Sequence, residues 1–423
     1  MNNLTTPCKS LMCFINDNKI INHSKKTKKT DNIFIEIYNN IIEGNEHLQC
    51  KKTSNMGEFY VLKITKILNV NHIPRPKLFN NDDFPKDVRI HIDENISYSL
   101  HYTFSLLDRE IDIHFLVEDV NLEKSLKKYN KYVERIYIWL YMINKYTTKK
   151  CSKKLRIFIY STSLTKKIPR TNIEVLDQIH VNTAFTYSCI ENSNEIVIFR
   201  KEEWFKVLLH ESFHNFDLDF SNMNNTLCNE RILSIYKVNS KVNLYEAYTE
   251  FWAEIMNVCF CSFFILGKEV NINSYKELCY NLVDVERTYS IFQLCKTLDF
   301  MGLTYKNLYL NDNVSKMARE TLYKEKTNVL SYYIITAVLM NNYSQFFEWC
   351  RIHNNISLIK FDRTTNNLKE LCDYIEKSYK TPQLIHDIEY MEKFLNKYQN
   401  SSKKINDKKF ILNNMRMSVC EMV

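Results

Sequence analysis

The run Trp204-Phe-Lys-Val-Leu-Leu-His-Glu-Ser-Phe-His-Asn-Phe216 constrains this chain more than any other. Trp204, Phe205, Leu208, Leu209, Ser212, Phe213 and Phe216 recur at helical spacing, and residues 195–220 contain no Pro or Gly to interrupt a helix. On such a helix positions i and i+4 sit one above the other, so His210 and His214 present two imidazoles to one point. That geometry suits two ligands of a tetrahedral zinc ion. Glu211 projects beside them, where a carboxylate can take a proton from a metal-bound water. The bland alternative is a helix whose histidines are satisfied by ordinary hydrogen bonds. Just upstream, Glu195-Ile-Val-Ile-Phe199 is β-rich, so a strand feeds into the helix.

A catalytic zinc site takes three protein ligands and one water. One large class continues His-Glu-x-x-His with a Gly and a third His; here Asp217 and Phe220 stand at those places, which excludes it. Acidic residues concentrate downstream in Asn243-Leu-Tyr-Glu-Ala-Tyr-Thr-Glu-Phe-Trp-Ala-Glu254. Glu246, Glu250 and Glu254 are spaced i, i+4, i+8, so one helix face carries all three, flanked by Ala247, Phe251, Trp252, Ile255 and Val258. Carboxylates among aromatics are costly unless they are paired or bind a metal. The alternative is a solvated acidic stripe.

Together these two segments resemble the gluzincin group of zinc metallopeptidases, in which a Glu on a second helix completes the site. Glu246-Ala-Tyr-Thr-Glu250 matches the group's Glu-x-x-x-acid pattern. By that resemblance Glu246 is the third ligand and Glu250 the partner that fixes a histidine tautomer. Glu250-Phe-Trp-Ala-Glu254 matches one turn later, in the register of a membrane-associated group of zinc peptidases, so Glu250 and Glu254 stay open as alternative ligands. Leu-x-Glu-Ala-x-Thr-Glu is the more usual gluzincin wording and favours Glu246. The connection from His214 to Glu246 is longer than in compact gluzincins, an insertion whose closure entropy is small. The resemblance implies a zincin-like α+β fold: a small mixed β-sheet plus the His-Glu-x-x-His helix, followed by a mostly α-helical C-terminal half. It also implies Zn2+ as cofactor and a peptide or protein as substrate. The substrate would pair with an edge strand just before the zinc helix, and Asn182 and Ala184 in His180-Val-Asn-Thr-Ala-Phe-Thr-Tyr187 resemble that strand. An oxyanion donor is expected from the C-terminal half. Tyr332 and Tyr333 are the candidates taken, with His353 and His386 as further sources.

At 423 residues the chain can bury two or three subdomain cores. The absence of an 18-residue uncharged apolar run argues against a membrane span, and the start of the chain lacks a secretory pattern. Thirteen scattered cysteines without Cys-x-x-Cys pairs predict free thiols and a cytoplasmic protein. The net charge of +8 is a mild excess, carried largely by Lys25-Lys-Thr-Lys-Lys29 and by Lys403-Lys404 and Lys408-Lys409. No aromatic-basic or helix-turn-helix signature accompanies it, so stable nucleic-acid binding is not expected. Only four glycines occur while Asn, Lys, Ile and Tyr are abundant, the usage of an AT-rich genome. Joined to the zinc motif, this resembles metallopeptidases encoded by giant DNA viruses, which would put the protein in host cytoplasm or virion. The competing readings are a catalytically inactive zincin-fold structural or virion protein, and a basic nucleic-acid-binding protein with a chance motif.

Along the chain the pattern predicts a flexible segment over 1–32 and a helical region with linker over 33–85. An α+β subdomain with the zinc helix follows over 86–226, then a helical subdomain with the third ligand over 227–399 and a tail over 400–423. Helices are expected at residues 31–38, 60–68, 122–146, 274–294, 327–350, 366–379 and 384–398, and strands at 88–92, 98–104, 111–117 and 155–160.

Overall fold

The computed structural model describes residues 3–119, 121–355, 357–401 and 405–423; Lys403 and Lys404 lie outside them. The chain is an α+β protein that divides into two compact units. A sheet unit holds residues 34–165 and 183–218 with Val423, and a helical unit holds 1–33, 166–182 and 219–422.

The sheet unit is built on β1 (Val61–Lys66), β2 (Tyr98–Leu106), β3 (Arg109–Val117), β4 (Lys154–Ser161), β5 (Ala184–Thr186) and β6 (Ser193–Ile198). They form one mixed six-stranded sheet in the order β1-β2-β3-β4-β6-β5. β1, β2 and β3 run antiparallel, β3, β4 and β6 parallel, and β5 pairs antiparallel with β6. A parallel pair needs a crossover, and the helix Leu122–Asn144 supplies it between β3 and β4. Its buried residues Val133, Ile136, Tyr137, Leu140 and Ile143 recur with helical period. They meet a face of alternate strand residues: the Tyr137 ring lies 5.5 Å from that of Phe104, and the Tyr102 hydroxyl donates to Asn130 at 2.8 Å.

Three sequence expectations in this unit are corrected. Residues 61–66 form β1, where a helix was expected over 60–68. This is an edge strand with Val61 and Ile64 exposed, so burial left no alternation to read. Residues 88–92 lie in the helix Lys86–Asn95, where a strand was expected. Val88 and Ile92 are its buried i, i+4 pair, while Ile90, which completed an apparent alternation, is exposed. Cys151 and Cys189 are joined by a disulfide, where free thiols were expected. They precede β4 and β6, which run parallel in register Lys154↔Ser193, and this brings two cysteines 38 residues apart side by side.

The helical unit is organised on the helices Leu244–Leu266 and Ile272–Phe300, both largely buried and packed on each other. Leu244–Glu269 is long and apolar enough by composition to cross a membrane, but 78% of its 18-residue apolar stretch is buried inside the protein, so it serves here as a core helix. Among the described residues, the helix Thr6–Asp17 and the segment 415–422 belong to this core, where a flexible start and a loose tail were expected. The helix Thr6–Asp17, capped by Thr5, sends Phe14 onto Phe292 at 5.1 Å between ring centres. Residues 415–420 and 422 are buried, and Leu4 pairs with Met422. The basic run at 25–29 is partly neutralised: Lys26 pairs with Glu277 at 2.5 Å and Lys29 with Glu348 at 2.6 Å.

Candidate metal centre

The helix Trp204–Asn215 follows β6 after five residues. It buries every residue except His214, which is half-buried, so it is a core helix and not a surface amphipath. It ends where Asp217 takes the left-handed conformation (φ 60°), with the Leu218 N–H donating back to the Phe213 carbonyl at 2.9 Å. This is the closing pattern that Gly usually supplies and that Asp tolerates better than most residues. Near the same end the Asn215 amide donates to the Thr186 hydroxyl of β5 at 2.9 Å and accepts from the Ser152 hydroxyl at 2.7 Å. Phe213, between the histidines, faces Trp139 of the crossover helix at 6.2 Å.

These contacts fix two imidazoles. The Nε2 atoms of His210 and His214 approach to 3.2 Å, with the rings at 75° to each other. Two nitrogens each about 2.0–2.1 Å from one tetrahedral ion would lie roughly 3.3–3.4 Å apart. The pair therefore has the bite of a zinc chelate, and the soft-to-borderline nitrogen donors suit that ion. Glu211 is only 7% exposed and His210 only 5%. A carboxylate so buried needs a compensating charge or hydrogen bonds.

In the helical unit Glu246 lies in the first turn of Leu244–Leu266. The Tyr332 hydroxyl donates to Glu246 Oε2 at 2.9 Å, and the Asn328 amide approaches Oε1 at 3.4 Å. Asn328 is itself held by Asn243 at 2.9 Å, and Ser331 donates to the Asn243 carbonyl at 2.9 Å. Tyr332 sits in a π-helical turn, Leu330–Ile335, a wide turn that often marks functional positions. The motif gave no signal for Asn328, Asn215, Thr186 or Ser152; only folding brings them to these positions.

The remaining sequence candidates are distributed as follows. Glu250 and Glu254 are each 1% exposed, so they are core carboxylates and not a solvated stripe; Ser290 donates to Glu254 at 3.4 Å. The buried Tyr333 hydroxyl donates to the Met415 carbonyl at 2.7 Å, whereas that of Tyr332 donates to Glu246. Ala184 opens the edge strand β5, opposite Ile198. Asn182 is not in that strand; it caps the short helix Gln178–Val181 and accepts from Thr327 at 2.8 Å. His353 stacks on Trp349 at 4.6 Å, and His386 pairs with Asp387 at 3.3 Å. A second set of donors, Cys151, Cys189 and Asp217, could hold an ion only as free thiolates, and its sulfurs are joined to each other.

No family model matches the chain, and no solved structure matches it. The chain is distantly similar to an uncharacterized protein of Acanthamoeba polyphaga mimivirus, 27% identical over 183 residues. That match covers 40% of this chain and 43% of the viral protein, so it links the chain to a giant-virus protein over less than half of either.

Proposed function

We propose that this chain is a zinc-dependent metallopeptidase of the gluzincin type, with a zincin-like fold, in which His210, His214 and Glu246 hold the ion. The two imidazole nitrogens are a chelating pair within the sheet unit, and a carboxylate as third ligand, by the gluzincin resemblance that of Glu246, would leave a tetrahedral ion one open position. The observation that carries the reading is the 3.2 Å approach of the two Nε2 atoms beside a buried glutamate. When bound, zinc supplies the Lewis acid that makes a water acidic enough to attack a peptide carbonyl near neutral pH. Glu211 would serve as general base toward a water and then as general acid toward the leaving amine. The Tyr332 hydroxyl donates to one carboxylate oxygen of Glu246 and the Asn328 amide approaches the other, so the two orient the carboxylate that would serve as third ligand. Glu250 and Glu254 are the buried alternatives for the third ligand. The substrate is a peptide laid along β5 as an added strand, starting at Ala184. A protein of this kind would act in host cytoplasm or in a virion.

The test is metal content by elemental analysis, followed by hydrolysis of a mixed peptide library. The wild type should hold about one zinc per chain. Glu211→Gln should keep the zinc and lose hydrolysis by roughly a hundredfold or more, and His210→Ala should lose the zinc. A wild-type protein that takes up no zinc on titration overturns the proposal. Zinc retained without hydrolysis in the wild type leaves the fold reading and removes the activity.

A further inference from the structure

We infer that Cys228 and Cys372 are a second disulfide pair, cross-linking the helices Thr226–Ile235 and Thr365–Ser378 of the helical unit. Their sulfurs lie 2.6 Å apart. This is far inside the separation of unbonded sulfurs and only about 0.6 Å beyond the bond length of a disulfide. Both cysteines are buried, at 3% and 1% exposure. The approach is not an accident of two loose side chains, because a neighbouring ion cluster sets the helix register. Arg231, one turn after Cys228, donates to Glu376 at 2.9 Å and to Asp373 at 2.5 Å, and those acids flank Cys372 on the facing helix. The pairing with Cys228, with Arg231 nearby, holds the Cys372 thiol below its ordinary range against its burial. Cys372 is therefore the attacking sulfur. Its burial means that the oxidant meets it before the two helices close, or in a local opening.

The oxidant is a low-molecular-weight disulfide such as oxidised glutathione. The Cys372 thiolate attacks one of its sulfurs; a new sulfur–sulfur bond forms, the old one breaks, and one small thiolate leaves and is protonated. Cys228 then loses its proton and attacks the Cys372 sulfur of the mixed disulfide. The Cys228–Cys372 bond forms and the second small thiol departs. Two electrons and two protons pass from the cysteines to the oxidant. The bond closes a loop with a sequence separation of 144 residues, the kind of long loop in which a cross-link restricts the unfolded chain most.

Full-length protein equilibrated with oxidised glutathione, denatured in N-ethylmaleimide and digested without reduction tests this by mass spectrometry. The eleven cysteines outside the Cys151–Cys189 bond should fall by two, to nine alkylated. A peptide joining Cys228 to Cys372 should appear and vanish on reduction. Cys228 and Cys372 alkylated singly, in a digest where Cys151 and Cys189 are joined, overturns the inference. A second measurement uses the Cys151→Ser/Cys189→Ser background, where reductant should lower the melting temperature by about 5 °C or more. Adding Cys228→Ser should abolish that reductant effect. An equal reductant effect with and without Cys228 overturns the inference.

Discussion

The Nε2 atoms of His210 and His214 meet at 3.2 Å, a distance that suits either one hydrogen bond between the rings or the ion proposed for them. A different histidine shows what burial does without such a role. His114 of β3 lies between the rings of His101 (4.0 Å) and Phe158 (4.9 Å). Burial, with His101 and Arg156 nearby and Asp112 opposing them, pushes its pKa down to about 4. The sign follows from linkage: between about 6.5 and 4 the unfolded chain takes a proton that the folded one refuses. This group therefore costs nothing above about pH 6.5, its penalty grows as pH falls, and the penalty levels off below pH 4. At pH 5 it amounts to about 2 kcal/mol. His114→Phe keeps the stacking and removes the titration. Thermal melts at pH 7 and pH 5 should show a pH-induced drop smaller than wild type by roughly 4–8 °C. Equal drops in both proteins would sink the assignment.

Elements differ in how well the sequence announces them. The helices Trp204–Asn215 and Leu244–Leu266 were legible because most of their residues are buried and apolar and no Gly or Pro interrupts them before Gly267. The crossover helix was legible from its 3.6-residue stripe. β1 was not, because an edge strand exposed on both faces carries no period. The core segment at 415–422 was not legible either, since no regular element or repeat marks it. In the candidate centre, i, i+4 spacing exposed the two histidines, whereas the Tyr332–Glu246 bond joins residues 86 apart and could not be read locally. The same holds for Asn215, which ties the His-Glu helix to β5 and to Ser152. Asn215→Ala strands the buried Ser152 hydroxyl and takes a donor from the half-buried Thr186 hydroxyl, a loss of about 1–3 kcal/mol. It should lower the melting temperature by roughly 2–12 °C and weaken the proposed zinc binding less than His214→Ala does. A variant that melts like wild type would show that the helix end is positioned by packing alone.

On the scale of the whole chain, the helical unit closes by pairing its first residues with its last. The Thr5 N–H donates to the Glu421 carbonyl at 3.0 Å, and the Thr5 hydroxyl to the Glu421 carboxylate at 2.8 Å. Several buried side chains hold this last segment, among them Tyr333, Asn257 and, with the most bonds to its N–H groups, Glu286 of the helix Ile272–Phe300. Its carboxylate accepts from the Ser418 hydroxyl (2.8 Å) and from the N–H groups of Val419 (2.8 Å) and Cys420 (2.7 Å). Burial pushes the pKa of Glu286 up, and these donors pull against it. A backbone segment without secondary structure must find partners for its N–H groups or pay their desolvation, and here one carboxylate answers two of them. Glu286→Ala leaves those N–H groups and a hydroxyl without their acceptor, at a cost of about 3 kcal/mol or more. Glu286→Gln keeps one acceptor oxygen and should fall between the two. The expected result is a melting temperature lowered in the order wild type, Gln, Ala, with limited proteolysis of the Ala variant releasing a peptide that begins after about residue 414. If the Ala variant melts with wild type and its C-terminal segment resists cleavage, the apolar residues Met415, Met417, Val419 and Met422 hold the segment without the carboxylate.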